Sequence, residues 1–127
     1  MKKYIYIAIA VLFVAGVVYV IQAPAKPGKL DTFAQCVTDS GAKFYGAFWC
    51  PHCQNQKGMF GRSAKLLPYI ECSTPDSRGQ LQVCKDAGVV SYPTWDFIVE
   101  GSTTTERVRN TIELAQIAEK TNCQLPE

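Results

Sequence analysis

The chain has 127 residues, 47% of them hydrophobic and 19% charged, and carries a net charge of +2. That is room for one domain and an appendage, and the composition is ordinary for a globular protein with one apolar segment. No basic patch with interleaved aromatic residues occurs, which argues against nucleic acid as a partner. The charge is unevenly spread. Residues 1–29 hold Lys2, Lys3, Lys26 and Lys29 and no acid, so the rest of the chain is slightly acidic. Six cysteines in so short a chain point away from a reducing compartment. Their even number permits full pairing, with fifteen connectivities open.

Lys2 and Lys3 precede an uncharged apolar run, Tyr4 to Ile21. At about 1.5 Å per residue this run nearly crosses the hydrocarbon core of a bilayer. Tyr4, Tyr6 and Tyr19 lie toward its ends, where amphipathic rings favour the interface. Ala23, Pro24 and Ala25 offer the small residues of a signal-cleavage site, but the run is longer than the roughly 7–15 residues of a signal core. Residues 1–22 are therefore expected to be an uncleaved membrane anchor, with a cleaved signal as the alternative. The cysteine content orients it, N-terminus in the cytoplasm and domain outside. Residues 23–29 read as a short, stiff linker and residues 30–127 as the folded domain.

Asp31 is placed to cap a helix whose apolar face is Leu30, Phe33, Ala34 and Val37 and which Gly41 ends. Cys36 falls on the flank of that face. A buried strand is predicted from about Ala42 to Trp49, then a helix from Cys50 to about Leu66. Gly58 and Gly61 weaken that helix, so a bend or early stop is expected there. Met59, Phe60, Leu66 and Leu67 supply its buried side. Pro68 to Glu71 reads as a short second strand leading into a polar loop, Ser73 to Gly79. A helix from Gln80 to Ala87 ends at Gly88, and a strand follows from Trp95 to Val99. Glu100, Gly101 and Ser102 form a hairpin turn into an antiparallel strand, Thr103 to Val108. Asn110 is placed to cap the last helix, with Glu113 completing a capping box. Ile112, Leu114, Ala115, Ile117 and Ala118 form the buried stripe of that helix. The order α β α β α β β α allows helices to cover both faces of one sheet.

The chemistry sits at the first strand–helix junction, Cys50-Pro51-His52-Cys53. Two cysteines delivered onto the first turn of a helix are the arrangement thiol–disulfide exchange needs. Helix N-termini carry unpaired N–H groups and partial positive charge, which favour a thiolate on Cys50. His52, when protonated, adds positive charge beside it. Pro51 suits the first helical position, where its missing N–H is no loss. Three residues of separation is about one turn, so the two sulfurs can bond with little backbone movement. Stabilising the thiolate stabilises the reduced pair, which makes the disulfide the more oxidising state. A zinc site would want a second cysteine pair or a Cys/His pair at short spacing, and the sequence offers none. No metal and no bound cofactor is expected.

Phe44 to Lys57, with its WCPHC, together with Pro68 to Ser73 and Ala87 to Trp95, with its SYPTW, resembles the thioredoxin superfamily. The resemblance is closer still to the thioredoxin-like domain fused to bacterial vitamin K epoxide reductase homologues. It covers most of residues 42–98 and is loose toward both ends. It implies an α/β, thioredoxin-like fold, a central mixed four-stranded sheet with helices on both faces, here preceded by one transmembrane helix. It implies that Cys50 is the exposed attacking cysteine and Cys53 the resolving one. Pro93 would be a cis-proline facing the dithiol, leaving Tyr92 backbone free to pair with an extended substrate segment. Trp49 would shield the disulfide and contact substrate, whereas Trp95 belongs to the core.

In that family the domain passes its disulfide to secreted proteins and is reoxidised by a membrane-embedded, quinone-linked partner. This sequence carries no such helical partner domain, so reoxidation is expected from a separate membrane protein or from small oxidants. Thioredoxins also carry a buried acid on the strand before the dithiol, and Phe44 to Trp49 contains none. Moving the Cys53 proton is then left to another base, water or substrate, with Lys43 and Glu71 as the candidate side chains.

The resemblance includes Cys72 and Cys84, which it implies form a structural disulfide tying loop to helix. The alternative is a shuttle pair relaying electrons to Cys53. Cys36 and Cys123 lie outside the recognised motif. They are able to pair and fasten the two ends of the domain. If their helices lie on opposite sheet faces, that pairing requires the chain to curl back after Asn122. Buried free thiols are the alternative.

Three functions compete. The first is a membrane-anchored, extracytoplasmic thiol–disulfide oxidoreductase that donates disulfides to exported, cysteine-containing proteins. A vitamin K epoxide reductase-like or other quinone-linked membrane oxidase would reoxidise it. The second is a reductase or isomerase of the same fold, for example in cytochrome c maturation. The third is a binding module in which the dithiol is only a staple.

Overall fold

Phe44 and Tyr45 are neighbours on β1 (Lys43–Gly46), and because strand side chains alternate they point to opposite faces of one sheet. The two faces carry different cores. Phe44 joins a large cluster with Phe33, Val37, Phe60, Trp95, Phe97 and Ile117. Tyr45 joins a smaller one with Cys72, Cys84 and Val89. The computed structural model describes residues 1–22, 26–99 and 101–127.

The elements run α1 (Lys2–Gln22), α2 (Asp31–Asp39), β1, α3 (Pro51–Phe60), a 3-10 helix (Gly61–Leu66) and β2 (Tyr69–Glu71). They continue with α4 (Gln82–Asp86), β3 (Thr94–Ile98), β4 (Thr105–Val108) and α5 (Leu114–Thr121). The sheet order is β2-β1-β3-β4. β1 pairs with β2 in parallel and with β3 antiparallel, and β3 pairs with β4 antiparallel. This is the mixed four-stranded sheet of the thioredoxin fold. Side chains of α2, α3 and α5 share the large core, while α4 contributes Cys84 to the small one.

Aromatic packing fixes the large core. Phe44 stacks on Trp95 at 4.5 Å between ring centroids, and Trp95 on Phe97 at 5.5 Å. Phe33 of α2 stacks on Phe60 of α3 at 5.7 Å. Burying each such ring contributes about 1.5–3 kcal/mol relative to leaving it in water. On the other face, Arg107 of β4 forks onto Asp96 of β3 and donates to the carbonyls of Ala87 and Gly88. That clamp holds the end of α4 against the sheet.

Several boundaries differ from the sequence expectation. The first strand stops at Gly46, and Phe48 and Trp49 form a turn, 45% and 51% exposed, because the chain must reverse to start α3 at Cys50. Asp31 lies inside the first turn of α2, where its carboxylate accepts the Gly28 N–H at 3.0 Å. Gly61, at φ 54°, ends α3, and the chain continues as a 3-10 helix. The last helix starts at Leu114 rather than after Asn110, and its box is Glu113 with Gln116, whose side chain accepts the Glu113 N–H. Ala115 is exposed rather than buried. In the hairpin, Val99 donates to Thr104, and Glu100 lies outside the described residues. The candidate cleavage residues Ala23, Pro24 and Ala25, and with them much of the linker, also lie outside them.

α1 buries none of its residues. Its 21 residues extend about 30 Å, the thickness of a bilayer core. It is long and apolar enough to cross a membrane, a test that a signal segment also passes.

Candidate active site

Three local features place the dithiol. β1 runs through the middle of the sheet and ends at Gly46, a turn follows, and Cys50 is the N-cap of α3 with Pro51 in the first turn. Cys50 has extended backbone (φ −79°, ψ 116°), so its side chain folds back over the new helix. There Cys50 Sγ accepts the Cys53 N–H at 3.3 Å. The first helical bond, Gln54 N–H to the Cys50 carbonyl, is 3.1 Å. The resemblance implied an exposed Cys50. It is 4% accessible instead, because the N-cap conformation folds its sulfur inward, and Cys53 is at 0%. Pro51 and His52 are exposed on the first turn, and the His52 carbonyl accepts from Thr111 Oγ1.

The Cys53 sulfur sits against Gly46. A Cβ on Gly46 would lie 3.0 Å from it and 2.8 Å from the Tyr69 ring. Burial, and then the hydrogen bond with Cys50, push the Cys53 thiol up to about 12. Behind the sulfur, Tyr69 Oη donates to Glu71 Oε2 at 2.8 Å. Glu71 Oε1 accepts the N–H groups of Phe48, Cys72 and Ser73 at 3.2, 3.1 and 2.8 Å. Lys57 Nζ stands 3.2 Å above the centre of the Tyr69 ring. Burial and the bond to Glu71 raise Tyr69 above the ordinary phenol range, and burial lowers Lys57.

Trp49 and Tyr92 meet edge to face at 6.1 Å. Trp49 Nε1 donates to Ser73 Oγ at 2.8 Å, and Gln80 Nε2 donates to Tyr92 Oη at 2.8 Å. The Tyr92–Pro93 bond is cis, and Pro93 is buried. The arrangement is therefore two buried sulfurs a helical turn apart, Cys50 at the N-cap and less deeply buried than Cys53, with Trp49 next to Cys50 in the chain.

The thioredoxin family profile matches residues 29–122. The chain belongs to the thioredoxin family. It is also 42% identical over 102 residues to the thiol-disulfide oxidoreductase LTO1 of Arabidopsis thaliana. That match covers 74% of this chain and 24% of the relative, so the chain spans about a quarter of the relative's length. This thioredoxin-family chain is thus a homologue of a thiol-disulfide oxidoreductase, with Cys50 and Cys53 as its CxxC pair.

The other four cysteines are bonded. Cys72 joins Cys84 across 12 residues, and Cys36 joins Cys123 across 87. Cys36 and Cys123 both pack in or against the large core, so their helices do not lie on opposite faces. Asn122 at φ 52° turns the chain after α5 to deliver Cys123.

Lys43 and Glu71 separate cleanly. Lys43 is exposed at the far end of β1 and shares the Tyr45 face, whereas Glu71 pairs in register with Gly46 beside the Cys53 sulfur. Sequence reasoning missed Gln56 altogether. Fully buried, it accepts the Ile112 N–H at 2.9 Å and donates to the Ile112 carbonyl at 3.0 Å, tying α3 to the segment before α5. A polar residue on the buried side of a helix was the one available signal.

Proposed function

We propose that the chain is a membrane-anchored, extracytoplasmic thiol–disulfide oxidoreductase that donates the Cys50–Cys53 disulfide to exported proteins. The observation carrying this reading is the asymmetry of the pair. Cys50 Sγ takes an N–H at a helix start, while Cys53 is sealed beneath it. A sulfur held at a helix N-terminus is stabilised as a thiolate, and that stabilises the reduced pair and makes the disulfide the stronger oxidant. A substrate thiolate attacks Cys50 Sγ, the Cys50–Cys53 bond breaks, and Cys53 leaves with the electron pair and takes a proton. The second substrate thiolate then attacks the substrate sulfur of the mixed disulfide. A substrate disulfide forms, and Cys50 departs as thiolate.

His52 stands on the first helical turn beside Cys50, and Trp49, Tyr92 and Pro93 form the edge along which an extended substrate lies. α1 serves as a single-pass anchor with its N-terminus in the cytoplasm. The two further disulfides support this placement, since such bonds persist in oxidising compartments. The reoxidant is a quinone-linked membrane protein of the vitamin K epoxide reductase kind.

A Cys53→Ala chain expressed in cells should trap mixed disulfides with exported proteins through Cys50. Recovery of none would leave a binding module. A redox titration of the pair should fall well above about −270 mV, and a value near it would make the protein a reductant.

A further inference from the structure

The Cys53 thiol, at about 12, is ionised at pH 7 in only about one molecule in 10⁵. Yet Cys53 must shed its proton whenever it attacks a mixed disulfide at Cys50. Among the described residues, the groups acting on it are Cys50 at the N-cap, the Ala47 backbone, Lys57 of α3 and Tyr69 of β2, and Glu71 bonds to that tyrosine.

We propose that Glu71, acting through the Tyr69 hydroxyl, takes and returns the Cys53 proton, with Lys57 holding the tyrosine ring. The assignment rests on the reading of Cys50 and Cys53 as the redox pair. Its basis is geometric. A Cβ on Gly46 would lie 3.0 Å from Cys53 Sγ and 3.3 Å from Tyr69 Oη, so both border the space that this glycine leaves open. The span between them is at most about 6 Å, which one bridging solvent molecule covers. Tyr69 Oη in turn donates to Glu71 Oε2 at 2.8 Å. Three backbone N–H groups on Oε1 fix the carboxylate, and Lys57 over the ring fixes the phenol.

In the closing step Cys53 sulfur bonds to Cys50 sulfur, and the bond from Cys50 to its partner breaks. The partner sulfur leaves with the electron pair, and the Cys53 proton shifts toward Tyr69 as the Tyr69 proton passes to Glu71. In the opening step Cys53 leaves as thiolate and the same protons run back. Tyr69 stays neutral throughout, consistent with a phenol raised above its ordinary range.

The test is stopped-flow reaction of the reduced full chain, in detergent, with 5,5′-dithiobis(2-nitrobenzoate). Attack by Cys50 releases one thionitrobenzoate, and displacement by Cys53 releases the second. At pH 7 Glu71→Gln should slow the second release relative to the first on the order of a hundredfold. The amide oxygen still accepts the three backbone N–H groups, so the turn is kept. Tyr69→Phe keeps the ring beneath Lys57 and should show the same loss, and Glu71→Asp should recover part of the rate. All should converge on the parent as pH rises toward the titration of Cys53, where the thiolate forms unaided. A second release in Glu71→Gln and Tyr69→Phe as fast as the parent's at pH 7 overturns the relay. So does a deficit that persists unchanged into alkali. A parent chain with no second release overturns the dithiol reading itself and the relay with it.

Discussion

Gly46 touches both cysteine pairs nearest the site. Its open side faces the Cys53 sulfur, and its carbonyl accepts the Cys72 N–H at 2.8 Å. From that shared point the pairs diverge. Cys50 and Cys53 span one helical turn, and Cys50 keeps 4% accessibility. Cys72 and Cys84 are both at 0%, and they join the end of β2 to α4 across 12 residues. Exchange needs a thiolate to reach a sulfur in line with the bond it breaks. Only the first pair offers such an approach. The same element, placed at a helix start or under a sheet face, serves as reagent or as staple.

The sharpest way to break that contrast is to remove one pair at a time. Cys50→Ser should reduce the oxidation of a reduced, dithiol-containing substrate to background. Cys72→Ser with Cys84→Ser should leave turnover in place at low temperature and cost about 3 kcal/mol of stability, read from urea unfolding with the dithiol reduced. A folded double variant without turnover would instead make Cys72 and Cys84 a relay pair. Cys36→Ser with Cys123→Ser opens the longer loop of 87 residues and should cost about 4–5 kcal/mol by the same chain-entropy argument.

What the sequence disclosed was whatever is encoded locally. Cysteines at the start of a helix, Pro51 in its first turn and a stop near Gly61 follow from neighbours within a turn or two. That the sheet is mixed and four-stranded came with the resemblance, whereas the strand order did not. Contacts between distant segments were hidden. Gln56 meets Ile112 across 56 positions, and Glu71 gathers the Phe48 N–H from 23 positions away. Neither pattern is periodic, so neither leaves a trace in hydropathy. The aromatic run misled for a related reason. Phe48 and Trp49 are apolar enough for a strand, yet the chain has to turn there for Cys50 to cap α3.

Gln56 gives a smaller, purely structural comparison within α3. Gln56→Leu leaves the Ile112 N–H and carbonyl without the side chain that holds them, which should cost about 2–4 kcal/mol. Gln54→Leu, on the exposed side of the same helix, loses its bond to the Phe48 carbonyl where water can replace it. Its cost should stay below about 1 kcal/mol. Chemical unfolding of the two variants side by side measures the difference, and equal losses would mean that Gln56 does not anchor the helix.

The last effect is a dependence on pH that belongs to the buried Cys53 thiol. A free thiol in the unfolded chain ionises near 9.0, whereas in the folded reduced protein Cys53 holds its proton to about 12. Between those values the folded state binds more protons than the unfolded one, so stability falls as pH rises. The contribution is intact below pH 9 and is lost on the way to 12. The comparison that isolates it is Cys50→Ser against Cys50→Ser with Cys53→Ser, since only the first retains a thiol at the buried position. Their thermal midpoints should differ by a constant amount from pH 6 to about 8.5. Above that the single variant should lose ground to the double. Parallel curves up to pH 10.5 would mean that the Cys53 proton is no harder to remove folded than unfolded, and that the closing step needs no help in removing it.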